Sequence, residues 1–237
     1  MPVALEYNGV AHATMLATPS DLEDFAYGFS LTEGIIDSPA NILDSYIELR
    51  ENGIVAHLEI DCACEARLAN QRRALAGRTG CGLCGKRSLE HVVRAIDPVR
   101  HAPTVRLGTV HRVARQMRER QALHLMTGAT HAAAWALANG ESTDVREDVG
   151  RHNALDKLVG ALVRREADMP QGFALVSSRA SYEMVQKAAA AGIAVLAAVS
   201  APTALAVRLA RETGVTLIGF LRNDECVIYS HAERIAA

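Results

Sequence analysis

The stretch FALVSSRASYEMVQKAAAAGIAVLAAVSAPTALAVRLARETGVTLIGFL, residues 173–221, decides the fold class. Short apolar runs alternate in it with segments of helical periodicity: the runs are 173–177, 193–199 and 215–221, and the helical segments are 182–191 and 203–212. Strands that alternate with helices of about ten residues require right-handed crossovers between parallel strands. We therefore predict an α/β arrangement with helices covering both faces of a sheet.

The residues before position 61 indicate hairpins instead. Runs of alternating apolar residues surround Asn8-Gly9 and Asn52-Gly53, dipeptides that are typical of two-residue hairpin turns. Between the two predicted hairpins, Ser20 and Glu23 have the spacing of a capping box, so we predict a helix that begins there and ends at Gly34. The start of the chain is therefore expected to be a meander of short strands with one helix.

The chain divides into two predicted parts. Residues 61–87 show no periodicity, which indicates a loop, whereas 111–123 and 153–165 have helical patterns. We expect a small, meander-rich α+β part over 1–100, which includes this loop. The second part, 101–237, is expected to be a layered α/β/α domain with a mostly parallel sheet.

Charge and composition exclude several classes of protein. The chain has 25 basic and 27 acidic side chains, so its net charge of −2 does not attract it as a whole to nucleic acid or to a membrane of anionic lipid. An apolar fraction of 49% excludes intrinsic disorder. Residues 188–207 are uncharged, but alanine dominates them and Gly192 and Pro202 interrupt them. That composition favours helix ends around a buried strand over a membrane span.

The cysteine usage and the first residues predict where the protein works. The chain begins Met1-Pro2-Val3-Ala4, without the basic start and the apolar core of a signal peptide. Its five cysteines are too few for a disulfide framework, and an odd count leaves one unpaired. We therefore predict a soluble, cytoplasmic protein with reduced thiols.

The most specific local feature is TGCGLCG at 79–85, in which Cys81 and Cys84 are two residues apart. Two thiols at this spacing can form a disulfide, share a metal ion or pass a sulfur atom between them. No acidic residue occurs between Glu65 and Glu90, whereas that stretch contains six basic residues. Nearby cations favour the thiolate over the thiol, so we predict that both cysteines are reactive.

Two less reactive interpretations of the cysteines stay open. Cys62 and Cys64 precede the motif, so that four thiols could form a structural zinc site, although Cys-x-Cys is a tight spacing for zinc. Alternatively, these two are small buried residues that follow a strand. Cys226 lies beside a predicted strand and is expected to belong to the core.

Polar residues follow three of the predicted strands. The segments REDVGRHN at 146–153, SSRAS at 177–181 and GFLR at 219–222 each lie where a strand is expected to end. The carboxyl ends of parallel strands meet at one edge of a sheet, and helices that start there bind anions. We therefore expect the three segments to converge on a crevice that suits a nucleotide-bearing ligand.

Four side chains at these junctions are candidates for ligand binding. Arg151 and His152 open a predicted helix, and Arg179 lies between hydroxyl-bearing residues. An alternative for the first pair is a capped helix with solvated charges. His131 is either a ligand contact or a core histidine, and the sequence favours neither.

Four long motifs together resemble the FdhD/NarQ family, the formate dehydrogenase accessory sulfurtransferases. They are GFSLTEGII at 28–36, RTGCGLCG at 78–85, EDVGRHNALDKL at 147–158 and SSRASYEMVQK at 177–187. The resemblance spans nearly the whole chain. It implies a larger half with a cytidine-deaminase-like fold. The zinc signature of the deaminases is absent, because Ala132-Ala133 follows His131, so deamination is excluded.

The resemblance also implies a function. Cys81 matches the family's persulfide cysteine and Cys84 its partner, so the sulfur is expected to come from a cysteine desulfurase. The recipient is expected to be the molybdenum of the bis(molybdopterin guanine dinucleotide) cofactor, bound as a substrate, for insertion into formate dehydrogenase. The family further implies a cytoplasmic homodimer, and we expect no tightly held metal ion.

One segment matches the family's cofactor-binding residues: Phe220, Leu221, Arg222, Asn223, Asp224 and Glu225. The match is loose, because this segment contains two acids where a ligand with a pyrophosphate group favours none.

Two other classes of function compete with sulfur transfer. In the first, the chain is a non-catalytic cofactor carrier whose cysteines hold zinc or a disulfide. In the second, it is a thiol–disulfide oxidoreductase, which is disfavoured because the Cys-x-x-Cys motif does not follow the first strand of a thioredoxin-like βαβ pattern.

Overall fold

The computed structural model describes residues 1–74, 96–222 and 224–237. The first four strands form a small sheet: β1 is Pro2–Tyr7, β2 is Val10–Leu16, β3 is Ile42–Arg50 and β4 is Gly53–Ile60. Their order in the sheet is β2-β1-β4-β3. Both outer pairs are antiparallel hairpins, as predicted, and the central pair β1–β4 is parallel.

Helix α1, Leu22–Thr32, packs on the inner face of the small sheet. It begins after Asp21, which has a left-handed φ of 53° and makes no side-chain cap, so the predicted capping box of Ser20 and Glu23 is wrong. The Asp21 carboxylate lies 3.8 Å from the guanidinium of Arg146. This long-range ion pair has no local sequence signal.

Helix α2, Cys62–Ala74, corrects the prediction that 61–87 is a loop. Asp61 starts this helix, because its carboxylate accepts a hydrogen bond of 2.8 Å from the backbone N–H of Cys64. Among the side chains of α2 that the structure describes, Cys64 and Leu68 reach the core of the small sheet. Two buried positions four residues apart are too few to give a recognisable period. Residues 75–87 of the predicted loop lie outside the described residues.

The second sheet has six strands in the order β11-β10-β9-β8-β6-β7. In chain order the remaining strands are β5 Val105–Arg106, β6 His131–Leu137, β7 Ser142–Asp148, β8 Gly172–Val176, β9 Val195–Ala198, β10 Thr216–Arg222, β11 Glu225–Ile228 and β12 Ile235–Ala236. β5 and β12 form a separate parallel pair. β8, β9 and β10 are parallel, whereas the remaining neighbours in the large sheet are antiparallel. The sheet is therefore mixed rather than mostly parallel, because hairpins add strands at both of its edges.

Helices cover both faces of the large sheet. They are α3 Leu107–Glu119, α5 Arg151–Arg164, α6 Tyr182–Ala190 and α7 Ala204–Glu212. A short helix, α4 Ala122–Thr127, has no buried residue. One face packs against α3, through Val113 and Met117. The other face packs against α5, α6 and α7, through residues such as Leu158, Val185 and Leu209. The α/β class is thus confirmed, with three layers, while the likeness to cytidine deaminases stays a prediction.

The uncharged run 188–207 has the structure that its composition predicts. It contains the end of α6, Gly192 with a φ of 75°, strand β9 and the start of α7. Thr203 caps α7 by accepting a hydrogen bond of 3.2 Å from the backbone N–H of Ala206. No helix in the described part of the chain is long and apolar enough to cross a membrane.

Two glycines bring α1 into close contact with α5. A Cβ atom at Gly28 would lie 1.7 Å from the backbone oxygen of Asp156, and a Cβ at Gly160 would lie 1.7 Å from that of Asp24. Helix α1 therefore packs on α5 as well as on the small sheet. The division at residue 100 stays a prediction, and α1 is the element that joins the two predicted parts.

Replacing Gly28 with alanine should destabilise the protein by about 1–3 kcal/mol or more, because the added methyl group meets backbone rather than a movable side chain. Gly108 in α3 is a matched control, since a Cβ there meets nothing within 4 Å. Gly108→Ala should stabilise the helix by roughly 0.5–1 kcal/mol. Urea unfolding of both variants measures the difference, and equal midpoints would contradict the close helix contact.

Candidate functional site

The carboxyl ends of β7, β8, β9 and β10 lie at one edge of the large sheet, together with the amino end of β6. Backbone hydrogen bonds join the segments that leave these strands: Ser200 donates to Ser178 at 3.3 Å, and Phe220 donates to Ser200 at 3.2 Å. The three polar junctions thus converge on one edge, as predicted. We name this edge the strand-end site, and its candidate side chains are His131, Arg151, His152, Arg179, Phe220 and Arg222.

His131 lies at the start of β6 and is half-buried at this edge. Burial lowers the pKa of its imidazole, and the neighbouring Arg151, His124 and His152 lower it further. His131 is therefore neutral near pH 7, in surroundings that already disfavour another positive charge. An anionic ligand bound among these side chains would reverse that effect and favour the imidazolium.

His152 is held by a residue that the sequence analysis missed. Its Nε2 lies 2.8 Å from Oε2 of Glu183, in the first turn of α6. Burial alone would raise the pKa of Glu183, but the interactions with His152 and Arg151 outweigh it and lower that pKa. An acidic residue in the first turn of a helix normally complements the helix dipole, so the sequence carried no signal for this contact.

The loop that leads to Arg151 rests on a buried ion pair. Asp148 and Lys157 are both 0% exposed, and their charged atoms are 2.7 Å apart. The Asp148 carboxylate also accepts hydrogen bonds from the backbone N–H groups of Thr18 at 2.9 Å and Gly150 at 2.8 Å. The alternative of a capped helix with solvated charges does not describe this arrangement, because the Asp148 and Lys157 side chains are buried. Asp148 and Lys157 hold the loop in place, while Arg151 and His152 remain partly exposed.

A second buried network connects three of the sequence motifs. Lys187 of α6 donates to Asp156 of α5 at 3.0 Å, and at the end of α1 to Glu33 at 2.9 Å and Thr32 at 3.0 Å. Burial alone would lower the pKa of Lys187, but the two carboxylates outweigh it and raise that pKa. Much of the motif sequence therefore stabilises the fold behind the site and does not face a ligand.

Phe220 has an unusual backbone conformation. It lies in a β-bulge between β10 and β11 and has a φ of 54°, which is uncommon for an aromatic residue. Its side chain is 36% exposed, and the Arg222 guanidinium lies 6.0 Å from its ring centroid. Leu221 is 0% exposed and packs towards α3, so only its backbone is available to a ligand. Strained residues of this kind concentrate at binding sites.

The rest of the predicted cofactor segment is only partly accounted for. Asn223 lies outside the described residues, and Glu225 is exposed at the start of β11. Asp224 forms an ion pair with Arg115 of α3, with 2.6 Å between its Oδ1 and the Nη1 of Arg115. Asp224 is one of the two acids that weakened the match to a pyrophosphate site. Its negative charge is therefore offset by Arg115, which is distant in the sequence.

Phe220→Gly should weaken binding of GDP, a probe that contains guanosine and pyrophosphate, without destabilising the protein. Loss of stacking should reduce affinity about tenfold. Glycine accepts a positive φ, so this variant should be about 1 kcal/mol more stable than Phe220→Ala, which loses the same ring but keeps the strain. Calorimetric titration and urea unfolding test the pair, and a Phe220→Gly protein less stable than Phe220→Ala would contradict the assignment.

The cysteines divide into two groups. Cys81 and Cys84, the predicted reactive thiols, lie outside the described residues. Cys64 is buried, and burial together with the hydrogen bond to Asp61 raises the pKa of its thiol. Cys62 is exposed, which does not fit the prediction of a buried residue, whereas Cys226 packs partly against the α3 side of the core, as expected.

The observations define a class of protein: a layered α/β chain in which a basic Cys-x-x-Cys segment accompanies an edge lined with arginine and histidine. The FdhD/NarQ family model matches residues 1–236. The chain therefore belongs to the FdhD/NarQ family.

Two relatives agree with this assignment, and a solved structure has a similar fold. The protein named "Sulfur carrier protein FdhD" of Bordetella petrii is 62% identical over 99% of this chain and 84% of its own length. The protein of the same name from Cupriavidus necator is 56% identical over 99% of this chain and 82% of its own. A Desulfotalea psychrophila crystal structure, assigned as a formate dehydrogenase accessory protein, has a TM-score of 0.78 at 23% identity, over 100% of this chain and 89% of its own. This last likeness concerns the fold alone.

Proposed function

We propose that this protein is a sulfurtransferase that accepts a persulfide sulfur on Cys81 and delivers it to the molybdenum bis(molybdopterin guanine dinucleotide) cofactor for formate dehydrogenase. The observation that supports this most is the TGCGLCG motif, in a segment with six basic and no acidic residues. It occurs in a chain whose relatives are named for sulfur carriage.

The first step is a thiolate attack on a persulfide. The Cys81 thiolate attacks the terminal sulfur of a cysteine desulfurase persulfide, and the bond between that sulfur and the donor's own sulfur breaks. The new persulfide is on Cys81, and the donor leaves as a thiolate. The six basic residues near Cys81 in the sequence favour its thiolate, which makes it available for attack and later a good leaving group. Cys84 assists release by attacking Cys81, which expels sulfide and forms a disulfide between the two cysteines.

The strand-end site is proposed to bind the nucleotide part of the substrate. In this proposal Arg151, Arg179 and Arg222 pair with pyrophosphate oxygens, and the bound anion favours the imidazolium form of His131. Phe220 offers an exposed ring for a base. The cofactor has two guanosine pyrophosphate groups, and a two-fold homodimer would present two copies of this site. We propose such a dimer, working in the cytoplasm.

The rival function, a non-catalytic carrier with a four-cysteine zinc site, is disfavoured by Cys64. A zinc ligand must be a thiolate that the metal ion can reach. The Cys64 thiol is buried in the core of the small sheet, and its pKa is raised rather than lowered. Zinc binding would require this helix turn to leave the core.

Intact-protein mass spectrometry tests the proposal. The reduced protein is incubated with a cysteine desulfurase and cysteine, and the expected result is a gain of one sulfur atom that a thiol reductant removes. Metal analysis on the same sample should find no stoichiometric zinc. If the folded, reduced protein gained no sulfur and contained one zinc ion per chain, the result would contradict sulfur transfer and support the carrier function.

A further inference from the structure

The ion pair between Arg115 and Asp224 lies beside the segment proposed to bind the nucleotide. Asp224 has a left-handed φ of 58°. It lies two residues after Arg222 and four residues after Phe220, whose backbone is strained. Arg115 lies in α3, 109 residues before Asp224 in the chain. Both side chains are largely exposed, at 57% for Arg115 and 74% for Asp224. An exposed pair of this kind contributes little to stability, so its position needs another explanation.

The position of Arg115 is set by the packing of its helix. Val113 and Met117, on either side of it in α3, are fully buried. They belong to the same apolar cluster as Leu221, the residue between Phe220 and Arg222. Helix α3 and the β10–β11 turn are therefore packed together through Leu221. The guanidinium of Arg115 is held at the turn by the core beneath it.

The charge of Asp224 is unfavourable for the proposed ligand. A pyrophosphate group that binds near Arg222 would approach the Asp224 carboxylate, and like charges a few ångströms apart repel each other even in water. Arg115 removes this repulsion in two ways. Its positive charge offsets that of the carboxylate, and its hydrogen bond directs the carboxylate towards α3.

We infer that Arg115 is a positioning residue for nucleotide binding, which acts through Asp224 and thereby makes an acid-containing segment compatible with a pyrophosphate ligand. The inference rests on the proposed function, because it assumes a guanine nucleotide at the strand-end site. It assigns a role to α3, which contains none of the motifs that indicated the site. Arg115 itself does not touch the ligand in this arrangement.

A double-mutant cycle with GDP as the probe tests the inference. Arg115→Gln should weaken GDP binding about fivefold, because one unit charge is left uncompensated near the pyrophosphate. Asp224→Asn should bind GDP at least as tightly as the wild type. The double variant should bind GDP within about twofold of Asp224→Asn, since Arg115 has no further role once the carboxylate is gone. Guanosine, which has no phosphate, should bind all four proteins equally.

Matched variants separate positioning from a general effect of charge or folding. Arg112→Gln removes the same charge from the same helix, but Arg112 bonds to the backbone oxygen of Asn139, so GDP affinity should change little. Arg115→Lys should retain most of the affinity, and all variants should unfold at the wild-type temperature.

Three results would overturn the inference. Unchanged GDP affinity in Arg115→Gln would show that the pair has no effect on binding. A double variant as weak as Arg115→Gln would show that Arg115 contacts the phosphate directly. If the wild-type protein bound no GDP, the proposed nucleotide site would be wrong, and so would this part of the proposed function.

Discussion

Cys81→Ala should abolish the gain of sulfur from a cysteine desulfurase completely, with no change in the far-ultraviolet circular dichroism spectrum. The reaction needs a thiolate nucleophile, and alanine has none. The substitution removes one thiolate and leaves every basic residue of the segment in place, so the cations that favour a thiolate are retained for Cys84. The measurement is intact-protein mass spectrometry on the variant and the wild type, side by side.

Two further variants make the Cys81 result specific. Cys62→Ala removes an exposed thiol from the first turn of α2 and should gain sulfur as the wild type does. Cys84→Ala should still form the persulfide but release its sulfur more slowly, since the attack that expels sulfide is lost. If Cys81→Ala gained sulfur at the wild-type rate while Cys84→Ala did not, the roles of the two cysteines would be exchanged.

Lys157→Met should cause the largest loss of stability of any substitution considered. It leaves Asp148 as a buried carboxylate without its cation, which typically costs about 3–5 kcal/mol. The loop from Asp148 to His152 depends on this carboxylate, so GDP affinity should fall as well. Urea unfolding measures the first effect and calorimetric titration the second.

The comparison variants for Lys157 test whether the buried charge is the cause. Adding Asp148→Asn to Lys157→Met should recover part of the stability, because a neutral amide is less costly to bury than a lone carboxylate. Arg50→Met breaks an ion pair between exposed side chains and should leave the urea midpoint nearly unchanged. A Lys157→Met protein as stable as Arg50→Met would show that the pair does not hold the loop.

Most of the secondary structure could be predicted from local sequence. Both predicted hairpins form. Asn8 and Gly9 have the positive φ values of a tight turn, 50° and 74°, whereas the second turn consists of Glu51 and Asn52, because Gly53 already pairs with Arg50. The alternation of strands and helices over 173–221 is also correct to within a few residues. Helix α2 could not be predicted, because Cys64 and Leu68, the buried side chains in its described part, are too few to give a helical period.

The candidate site could be predicted in outline only. Parallel strands must end at one edge, so the polar junctions after them were expected to meet, and they do. Which of their side chains face outwards was not predictable. Lys187 and Asp148 lie in the same motifs as Arg179 and Arg151, yet they are buried and hold helices and loops together.

By itself, the sequence determined the α/β class, the hairpins, the basic segment with its Cys-x-x-Cys motif and the motifs that place the chain in its family. These properties depend on neighbouring residues, through turn propensity, hydrophobic periodicity and local charge. Only the tertiary structure decided that the sheet is mixed, that Glu183 holds His152 and that Arg115 pairs with Asp224. The partners in these contacts are far apart in the chain, as Arg115 and Asp224 are by 109 residues. Packing brings these partners together, and no local sequence pattern predicts a contact between residues so far apart in the chain.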